Sequence, residues 1–513
     1  MNFDRFSWLI ALLIGALSAL AFQPVAWWPL MPLALAGLCA LIDRAPTLRR
    51  ALLLGWLFGL GQFVIGLNWI ATAFTYQAAM PAWLGWIAVV LLSLYLAVYP
   101  MLAAGLAWRF GRKHWLALVL ALSGSWAITE WLRATMFTGF AWNPIGVTLV
   151  DTAWRGSSTV VGTYGLSAFV GLLGGGAWLI TKRKWWSAAG ILAPLAACWA
   201  AFFPIFIPGM NSLKSSANVR IIQPNIGQQD KWRPGFEEET YRRLYALTIK
   251  GPPQTRLIFW PEAAVTEPLE DGRPAAKKLA EDERLRATRA MGPGDLLLTG
   301  GLSLTSNDGR TVDGATNSVY VLEPLGRVAG RYDKAHLVPY GEYLPMRPLL
   351  SAIGLSRLAP GDIDFAGGPG PRTVRLPGNW GMVGFQLCYE IIFSGQVVDR
   401  DNRPDFIFNP SNDAWFGRWG PPQHLAQARL RAAEEGLPVI RSTPTGFSAL
   451  INPVGGLIGS IPWKQAGVID GVLPPPLPPT FFARLGNVVP LSLGFLLLIA
   501  AIALDRRARY RRI

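Results

Sequence analysis

The feature that most constrains this chain is a series of long apolar stretches that bracket one polar segment. Each stretch approaches the roughly 20 residues that an α-helix needs to cross a bilayer. The stretches lie at 8–22, 27–42, 51–70, 83–108, 115–132, 160–180, 186–207 and 488–504. The sequence therefore predicts a membrane α-helical bundle of about eight spans, the last of which follows the polar segment.

The composition is that of an integral membrane protein. Hydrophobic residues make up 51% of the 513 residues, and the chain contains 23 Trp, more than soluble globular chains usually carry. The first apolar stretch could be read as a signal peptide. Because it shows no small-residue cleavage site and further spans follow at once, we interpret it as a retained helix.

Basic residues are concentrated after particular spans, and they account for much of the net charge of +15. By the positive-inside rule these residues face the cytoplasm, so both termini are predicted to be cytoplasmic and the polar segment to lie outside. They are Arg44, Arg49, Arg50, Arg109, Arg112, Lys113, Lys182, Arg183, Lys184 and the tail residues Arg506, Arg507, Arg509, Arg511 and Arg512. No nucleic-acid motif accompanies them, so no nucleic-acid partner is predicted.

The chain divides into three predicted parts. These are a membrane domain of about seven helices at 1–214, a polar domain at 215–475, and a Pro-rich connector with the last span and basic tail at 476–513. In the polar domain, β-prone runs alternate with helical patterns, which is typical of layered α/β folds. The β-prone runs lie at 219–223, 257–260, 296–300, 318–322, 382–387, 406–408 and 439–442, and the helical patterns at 275–291 and 423–435.

Three residues of the polar domain form a candidate catalytic set: Glu262, Lys334 and Cys388. Each follows a short apolar or β-prone run, as expected of residues that converge at strand ends. A thiol needs a base to become a nucleophile, and a cation can stabilise the oxyanion that forms when sulfur attacks a carbonyl. The three side chains supply a base, a cation and a thiol.

The cysteine content favours a chemical role for Cys388. The two other cysteines, Cys39 and Cys198, lie in predicted spans, so Cys388 has no obvious disulfide partner in the polar domain. A lone cysteine among apolar residues is more often a buried small hydrophobe. An unpaired cysteine outside the cytoplasm is usually avoided, however, and we therefore interpret Cys388 as a nucleophile.

The motifs around these residues resemble those of the nitrilase superfamily of carbon-nitrogen hydrolases, with its Glu-Lys-Cys triad. With the flanking spans, the whole chain resembles the bacterial apolipoprotein N-acyltransferase family. The matching stretches are Gln223-Pro224-Asn225, Lys231-Trp232, Trp260-Pro261-Glu262, Tyr332-Asp333-Lys334, Gly341-Glu342-Tyr343-Leu344-Pro345, Cys388-Tyr389-Glu390 and Asn409-Pro410-Ser411-Asn412-Asp413-Ala414-Trp415-Phe416. The resemblance implies an α/β nitrilase-like αββα sandwich in the periplasm, held by a multi-pass anchor in the bacterial inner membrane.

The resemblance also implies a reaction. A fatty acyl chain moves from a phospholipid, expected to be the sn-1 chain of phosphatidylethanolamine, to the α-amine of the S-diacylglyceryl-cysteine that begins an apolipoprotein. The mechanism would be ping-pong through a thioester on Cys388, with Glu262 as base and with Lys334 and a backbone N–H as oxyanion donors. Cys388 is also expected to lie where a strand turns into a helix, and the N–H dipoles of that turn, together with Lys334, are expected to lower the thiol pKa. The resemblance implies no cofactor and a monomer that works with the bilayer, a phospholipid donor and a lipoprotein acceptor.

Further residues match family positions. Glu342 is expected to support activity, whereas Glu390 could be a second acid or a hydrogen-bond brace. Trp232, Tyr389 and Trp415 are expected to contact the acyl chain or headgroup, although most aromatic residues in such a chain fill cores or interfacial belts. The apolar stretch 344–358 is either a lid that dips into the bilayer or a segment packed within the domain.

Other readings stay open at this point. The same triad would serve a membrane-anchored amidase or nitrilase that hydrolyses a small amide. A multi-span transporter or receptor with a degenerate nitrilase domain is disfavoured, because the spans contain few ionisable residues besides Glu130 and Arg133. The three histidines, His114, His336 and His424, lack the spacing of zinc ligands, and Asn412 is left without a role.

Overall fold

The computed structural model describes residues 3–76, 81–206, 217–231, 233, 235–249, 254–352 and 363–510. Helices dominate its amino-terminal part and its carboxy-terminal end, and further helices lie in the polar domain between them. They are α1 (Phe3–Ser18), α2 (Leu30–Arg44), α3 (Leu48–Gly66), α4 (Ile70–Ala73), α5 (Leu84–Leu96), α6 (Val98–Gly111), α7 (Trp115–Thr135), α8 (Ser158–Thr181), α9 (Trp185–Phe202), α10 (Gln228–Lys231), α11 (Glu237–Ile249), α12 (Lys277–Thr288), α13 (Arg347–Ala352), α14 (Gly420–Glu435), α15 (Phe481–Leu485) and α16 (Val488–Tyr510).

The membrane bundle is close to the prediction. Within the described residues, six helical segments are long and apolar enough to cross a bilayer: Leu48–Gly66, Leu84–Gly111, Trp115–Thr135, Ala153–Thr181, Trp185–Phe202 and Val488–Ala508. The two remaining predicted stretches contain α1 and α2, which have 16 and 15 residues. Each of the eight predicted stretches thus contains a helix, and the prediction of a membrane helical bundle is confirmed.

The basic loops lie together at one end of this bundle. Nζ of Lys182, just after α8, lies 2.8 Å from the Oδ2 of Asp43 near the end of α2. The backbone N–H of Lys113, between α6 and α7, donates to the Oδ1 of Asp505 on α16 over 2.8 Å. The indole N–H of Trp108 near the end of α6 donates to the oxygen of Ala45 after α2 over 2.8 Å, which joins these two pairs. The basic ends of these helices therefore meet at a single face.

Two sheets make up the polar domain. The strands are β1 (Asn218–Gln223), β2 (Leu257–Phe259), β3 (Pro268–Asp271), β4 (Leu296–Thr305), β5 (Gly314–Leu322), β6 (Val328–Asp333), β7 (Thr373–Arg375), β8 (Met382–Phe385), β9 (Phe406–Pro410), β10 (Val439–Ser442), β11 (Ser448–Ile451), β12 (Leu457–Ile461) and β13 (Gly467–Val472). The first sheet has the order β13-β1-β2-β4-β5-β6, with β3 beside β4, and the second the order β12-β11-β10-β9-β8-β7.

The two sheets pack face to face because their strands are apolar on the inner side. Side chains of β1, β2, β4 and β5, such as Ile221 and Phe259, form one buried cluster with side chains of β8 to β11, such as Phe385 and Phe408. Helices α11 and α12 cover the outer face of the first sheet, and α14 covers the outer face of the second. The layers are therefore helix, sheet, sheet, helix, which confirms the predicted αββα sandwich.

Helix α14 also packs on the membrane bundle. Its buried Leu425, Ala428 and Ala432 belong to one apolar cluster that contains β9 and β10 residues on one side and Trp69 and Trp142 of the membrane part on the other. The apolar face of the sheet and that of the bundle are thus covered by the same helix. The polar domain rests on the end of the bundle opposite to the basic loops, since α3 starts at the basic end and finishes beside Trp69.

An ion pair on α14 joins it to a break in α8. Gly162 interrupts α8 with a φ of 63°, and a Cβ there would overlap the ring of Phe482. The break frees the backbone N–H of Thr163, which donates to Glu434 over 2.6 Å. Arg431 pairs with Glu434 at 2.6 Å and also donates to the Thr163 hydroxyl. The polar domain therefore supplies hydrogen-bond partners for the polar groups of Thr163 at the break in α8.

Candidate active site

The structure brings Glu262, Lys334 and Cys388 together from both sheets. Glu262 follows β2 and Lys334 directly follows β6 in the first sheet, while Cys388 follows β8 in the second. Nζ of Lys334 lies 4.0 Å from Oε1 of Glu262, and the charges of both residues act on the Cys388 thiol. All three side chains are buried. The site thus lies where the ends of three strands meet between the two sheets.

Lys334 is held as a charged group by a second carboxylate. Its Nζ lies 2.9 Å from each oxygen of Glu342. Burial by itself lowers the pKa of Lys334, but the carboxylates of Glu342 and Glu262 outweigh burial and raise this pKa above its ordinary value. Lys334 therefore remains an ammonium, with three N–H groups to share between Glu342 and a further acceptor.

Asn317 on β5 joins the two carboxylates. Its side-chain nitrogen donates to Oε1 of Glu262 over 2.8 Å and to Oε1 of Glu342 over 2.9 Å. Its backbone oxygen accepts from the N–H of Lys334 at 2.9 Å. In the described part of the chain, Oε2 of Glu262 has no hydrogen-bond partner. That oxygen is the one able to receive a proton.

Cys388 adopts an unusual backbone conformation. Its φ is +53°, in the left-handed region that costs a residue with a Cβ on the order of 1–2 kcal/mol. It begins a short 3₁₀ turn, Cys388–Ile392, so the predicted strand-to-helix turn is present in a shortened form. The backbone N–H of Asn412 faces the sulfur and favours the thiolate. The turn therefore presents the sulfur to the site.

The Cys388 thiol is a weak acid in this site. Burial raises its pKa well above the ordinary value, Glu262 raises it further, and Lys334 lowers it by less. Lys334 and the N–H of Asn412 act to lower this pKa, as predicted, but burial and the charge of Glu262 outweigh them. The thiol of Cys388 is therefore neutral at rest, so a base would have to accept its proton for the sulfur to act as a nucleophile.

A second lysine lies beside the base. Lys231, at the end of α10, is buried, and its Nζ donates to the backbone oxygen of Glu262 over 3.2 Å. Burial lowers the pKa of Lys231 to about 8, although Glu262 and Cys388 act in the opposite direction. The sequence placed Lys231 in a matching motif without assigning it a role. The structure places its ammonium group in contact with Glu262.

Glu390 connects the two loops that carry Lys334 and Cys388. Its Oε1 accepts from the Tyr332 hydroxyl at 2.8 Å and from the N–H groups of Ala335 and His336 at 2.8 and 3.0 Å. Its Oε2 accepts from the N–H of Leu387 at 2.7 Å. Burial raises the pKa of Glu390, although these donors act to lower it. Glu390 therefore acts as a hydrogen-bond brace, because one carboxylate holds the two loops together.

A buried polar network lies directly behind the nucleophile. Nε2 of His424 on α14 lies 3.1 Å from the backbone oxygen of Cys388, and its Nδ1 lies 3.0 Å from Asp413. Arg441 on β10 contacts both oxygens of Asp413 at 2.7 and 2.8 Å and lies 3.0 Å from Nδ1 of His424. Asn409 also reaches the Cys388 oxygen, at 3.5 Å. None of these network residues was assigned a role in the sequence analysis.

The site faces the membrane part through Tyr389. The hydroxyl of Tyr389 donates to the oxygen of Gly139 at 3.4 Å, and Nε2 of His336 lies 2.9 Å from the oxygen of Thr138. Thr138 and Gly139 lie in the loop that follows α7, beside Phe137, whose ring is 83% exposed. The residue next to the nucleophile therefore touches a loop at the end of a membrane helix.

The other predicted contact residues lie around this junction. Trp415 is half-buried, with its ring centroid 5.9 Å from that of Tyr76 after α4. Trp232 lies outside the described residues. Of the stretch 344–358, residues 344–352 are described, and in them Met346 and Leu349 are 65% and 61% exposed. These two side chains are not packed within the domain.

Comparisons with known proteins agree with this architecture. A family model described as the apolipoprotein N-acyltransferase N-terminal domain matches residues 14–176, and the carbon-nitrogen hydrolase model matches residues 218–476. The chain is 36% identical to the apolipoprotein N-acyltransferase of Rhodopseudomonas palustris, over 94% of this chain and 92% of that protein. It is 35% identical to that of Bradyrhizobium diazoefficiens, over 94% of this chain and 91% of that protein.

Proposed function

The chain belongs to the apolipoprotein N-acyltransferase family, and from that premise we propose that it N-acylates lipoproteins by ping-pong chemistry at Cys388. The donor is a phospholipid, with the sn-1 chain of phosphatidylethanolamine expected, and the acceptor is the α-amine of an amino-terminal S-diacylglyceryl-cysteine. One observation carries this proposal. Tyr389, next to the nucleophile, contacts the loop at the end of α7, so the thiol lies where a phospholipid ester can reach it.

The first half-reaction begins with the neutral thiol. Glu262 takes the Cys388 proton on its unpartnered Oε2 as sulfur forms a bond to the ester carbonyl carbon. The carbonyl electron pair moves onto oxygen, and Lys334 with the backbone N–H of Tyr389 stabilises that oxyanion. The pair then returns, the carbon–oxygen bond of the ester breaks, and Glu262 gives its proton to the glycerol oxygen. A lysophospholipid leaves, and a thioester remains on Cys388.

The second half-reaction uses the same groups in the same order. The lipoprotein amine attacks the thioester carbon, and Glu262 accepts a proton from the nitrogen. The same donors stabilise the second oxyanion. Collapse breaks the carbon–sulfur bond, and the proton returns to sulfur, which restores the Cys388 thiol and releases an amide. Glu342 and Asn317 support both steps by holding Lys334 and Glu262 in place.

The orientation in the membrane follows from the two ends of the bundle. The basic loops meet at one end, and the polar domain rests on the other. With basic loops in the cytoplasm, the catalytic domain at 215–475 lies in the periplasm and both termini lie in the cytoplasm. The protein is then a multi-pass protein of the bacterial inner membrane. We expect it to act as a monomer without a soluble cofactor.

Exposed apolar residues would admit the acyl chain to the site. Met346 and Leu349 are exposed on the segment before and within α13, and Phe137 is exposed on the loop that follows α7. The described part of 344–358 therefore supports the lid hypothesis over packing within the domain. Tyr389 and Trp415 are expected to contact the acyl chain or headgroup, and Trp232 is expected to join them.

The decisive experiment measures the intact mass of the purified protein after exposure to phosphatidylethanolamine, with Cys388→Ala as control. We expect a fatty-acyl adduct in the wild type only, and its loss on addition of a diacylglyceryl-cysteine peptide with formation of N-acyl peptide. An adduct lost to water as fast as to peptide would instead support the amidase-like hydrolase. A folded wild type with no adduct would contradict the acyltransferase proposal.

A further inference from the structure

The unassigned network behind Cys388 has a geometry that points to a task in the reaction. We infer that His424 is a positioning residue that holds and polarises the Cys388–Tyr389 peptide group, so that the Tyr389 N–H becomes an effective oxyanion donor. The inference rests on the proposed function, because it concerns the oxyanion of that reaction. His424 reaches no substrate itself, since it is fully buried behind the turn.

The first step is the protonation state of His424. Burial and the neighbouring Arg441 lower its pKa to about 4, although Asp413 acts to raise it. The ring is therefore neutral at physiological pH, with a proton on one nitrogen only. The groups that face it are Asp413 and Arg441 at Nδ1 and the Cys388 oxygen at Nε2.

The second step is the choice of tautomer. A proton on Nδ1 would leave the lone pair of Nε2 facing the Cys388 oxygen at 3.1 Å, which places two acceptors in contact. A proton on Nε2 gives a hydrogen bond to that oxygen, and Nδ1 then accepts from Arg441 at 3.0 Å. In this form the Nδ1 lone pair also lies 3.0 Å from Oδ1 of Asp413. The same Arg441 nitrogen lies 2.7 Å from that oxygen, so its N–H groups bridge the two acceptors. Arg441 therefore fixes His424 as a donor to the nucleophile's carbonyl.

The third step concerns the peptide bond itself. A donor on a carbonyl oxygen draws electron density through the amide and strengthens the N–H on the other side as a donor. The carbonyl of Cys388 and the N–H of Tyr389 belong to one such amide. His424, assisted by Asn409 at 3.5 Å, thus strengthens the N–H that faces the oxyanion. The same bond opposes rotation of a turn whose φ of +53° is strained.

The membrane part supports the same ring. The centroid of Trp142 lies 5.1 Å from that of His424, and the Trp142 Nε1–H donates to the neighbouring Gln423 over 2.8 Å. Phe416 packs on His424 from another side at 5.7 Å. The imidazole therefore has little freedom to rotate, and its Nε2–H stays directed at the peptide.

The test compares two amide substitutions that differ in reach. In His424→Gln the side-chain NH₂ extends to about the position of Nε2, whereas in His424→Asn it stops near Nδ1. Two rates are measured for each folded variant: acyl-enzyme formation from phosphatidylethanolamine, and alkylation of Cys388 by iodoacetamide. Alkylation is a displacement at saturated carbon and forms no oxyanion, so it reports only on the thiol.

We expect His424→Asn to slow acyl-enzyme formation by roughly 10- to 100-fold, below the loss of about 10²–10³-fold for a direct oxyanion donor. Alkylation should change by less than about 3-fold, and His424→Gln should recover most of the acylation rate. Equal losses in both rates would show a merely structural role and overturn the inference, as would His424→Asn acylating at the wild-type rate. A wild type that forms no adduct would contradict the proposed function instead.

A measurement on the wild type covers the case in which the variants do not fold. The chain has only three histidines, so ¹⁵N-histidine labelling gives a simple imidazole spectrum, and a His336→Gln sample assists assignment. We expect one ring to stay neutral from pH 5.5 to pH 8 with its proton on Nε2, as derived from the contacts of His424. A proton on Nδ1 of that ring would overturn the inference.

Discussion

The side-chain nitrogen of Asn317 lies 2.8 Å from the Oε1 of Glu262. This contact occupies one carboxylate oxygen, while the other has no hydrogen-bond partner among the described residues. The same nitrogen holds Glu342 at 2.9 Å. Asn317 therefore fixes the distance between Glu262 and Glu342, the counter-ion of Lys334. It also determines which oxygen of Glu262 is available to the Cys388 proton.

Asn317→Asp should impair the first half-reaction strongly. The substitution replaces a donor with a carboxylate oxygen that would face two carboxylates at the 2.8 and 2.9 Å now spanned by hydrogen bonds. Leaving buried groups unpaired costs about 1–3 kcal/mol, so we expect acyl-enzyme formation to fall by about 10- to 100-fold. Mass spectrometry of the acyl-enzyme measures the rate. Asn452→Asp, in a turn whose N–H donors need only Oδ1, should match the wild type.

Glu262→Gln should have opposite effects on two reactions of the same sulfur. Because the Glu262 charge raises the pKa of the Cys388 thiol, its removal should lower that pKa and move the pH profile of iodoacetamide alkylation to lower pH. Acylation by phospholipid should fall by about 10²–10⁴-fold, because the general base is lost. Glu238→Gln, on the exposed side of α11, should leave both unchanged. A shift of the alkylation profile to higher pH would contradict the assignment.

Glu390→Gln should destabilise the protein more than an exposed substitution of the same type. The carboxylate accepts one O–H and three N–H donors with its two oxygens. Glutamine keeps one acceptor oxygen, but the NH₂ group that replaces the other oxygen would face an N–H or O–H donor. We expect a loss of about 1–3 kcal/mol and a lower Tm in detergent, together with slower acylation, because the loops of Lys334 and Cys388 separate. Glu238→Gln, whose side chain is 78% exposed, is the control. Equal Tm values for both variants would refute the brace.

Gly162→Ala should disrupt the seating of the catalytic domain on the bundle. A Cβ there would overlap Phe482, and the φ of 63° is unfavourable for alanine. We expect a destabilisation of roughly 2 kcal/mol or more, seen as a lower unfolding temperature in detergent. Gly190→Ala in α9, where a Cβ meets nothing within 4 Å, should be neutral or slightly stabilising. A Gly162→Ala protein as stable as the wild type would contradict this packing.

The part of the fold that could be predicted from the sequence is the part encoded locally. Apolar runs such as 439–442 coincide with a strand, and the run 423–435 lies within α14. Strands β12 and β13 were not predicted, because their residues are mostly exposed or half-buried and show no apolar run. Their place is set by pairing with β11 and β1 rather than by their own pattern.

The site shows the same division. The motifs identified Glu262, Lys334 and Cys388, but nothing local marks Asn317 or His424. Asn317 comes beside Lys334 only through the pairing of β5 with β6, a register that a single sequence does not reveal. The same limit explains why the thiol pKa rises although Lys334 acts to lower it. Burial is the largest cause of that rise and Glu262 adds to it, and the depth of burial is a property of the fold.

Helix α14 has one further consequence. Its buried face contributes to the packing of the second sheet and of the membrane bundle at once, so a catalytic half cut away from its spans would present Leu425 and Ala432 to water. Such a fragment would aggregate rather than diffuse as a soluble hydrolase. The catalytic domain is therefore expected to depend on its membrane spans for its solubility as well as for its access to lipid.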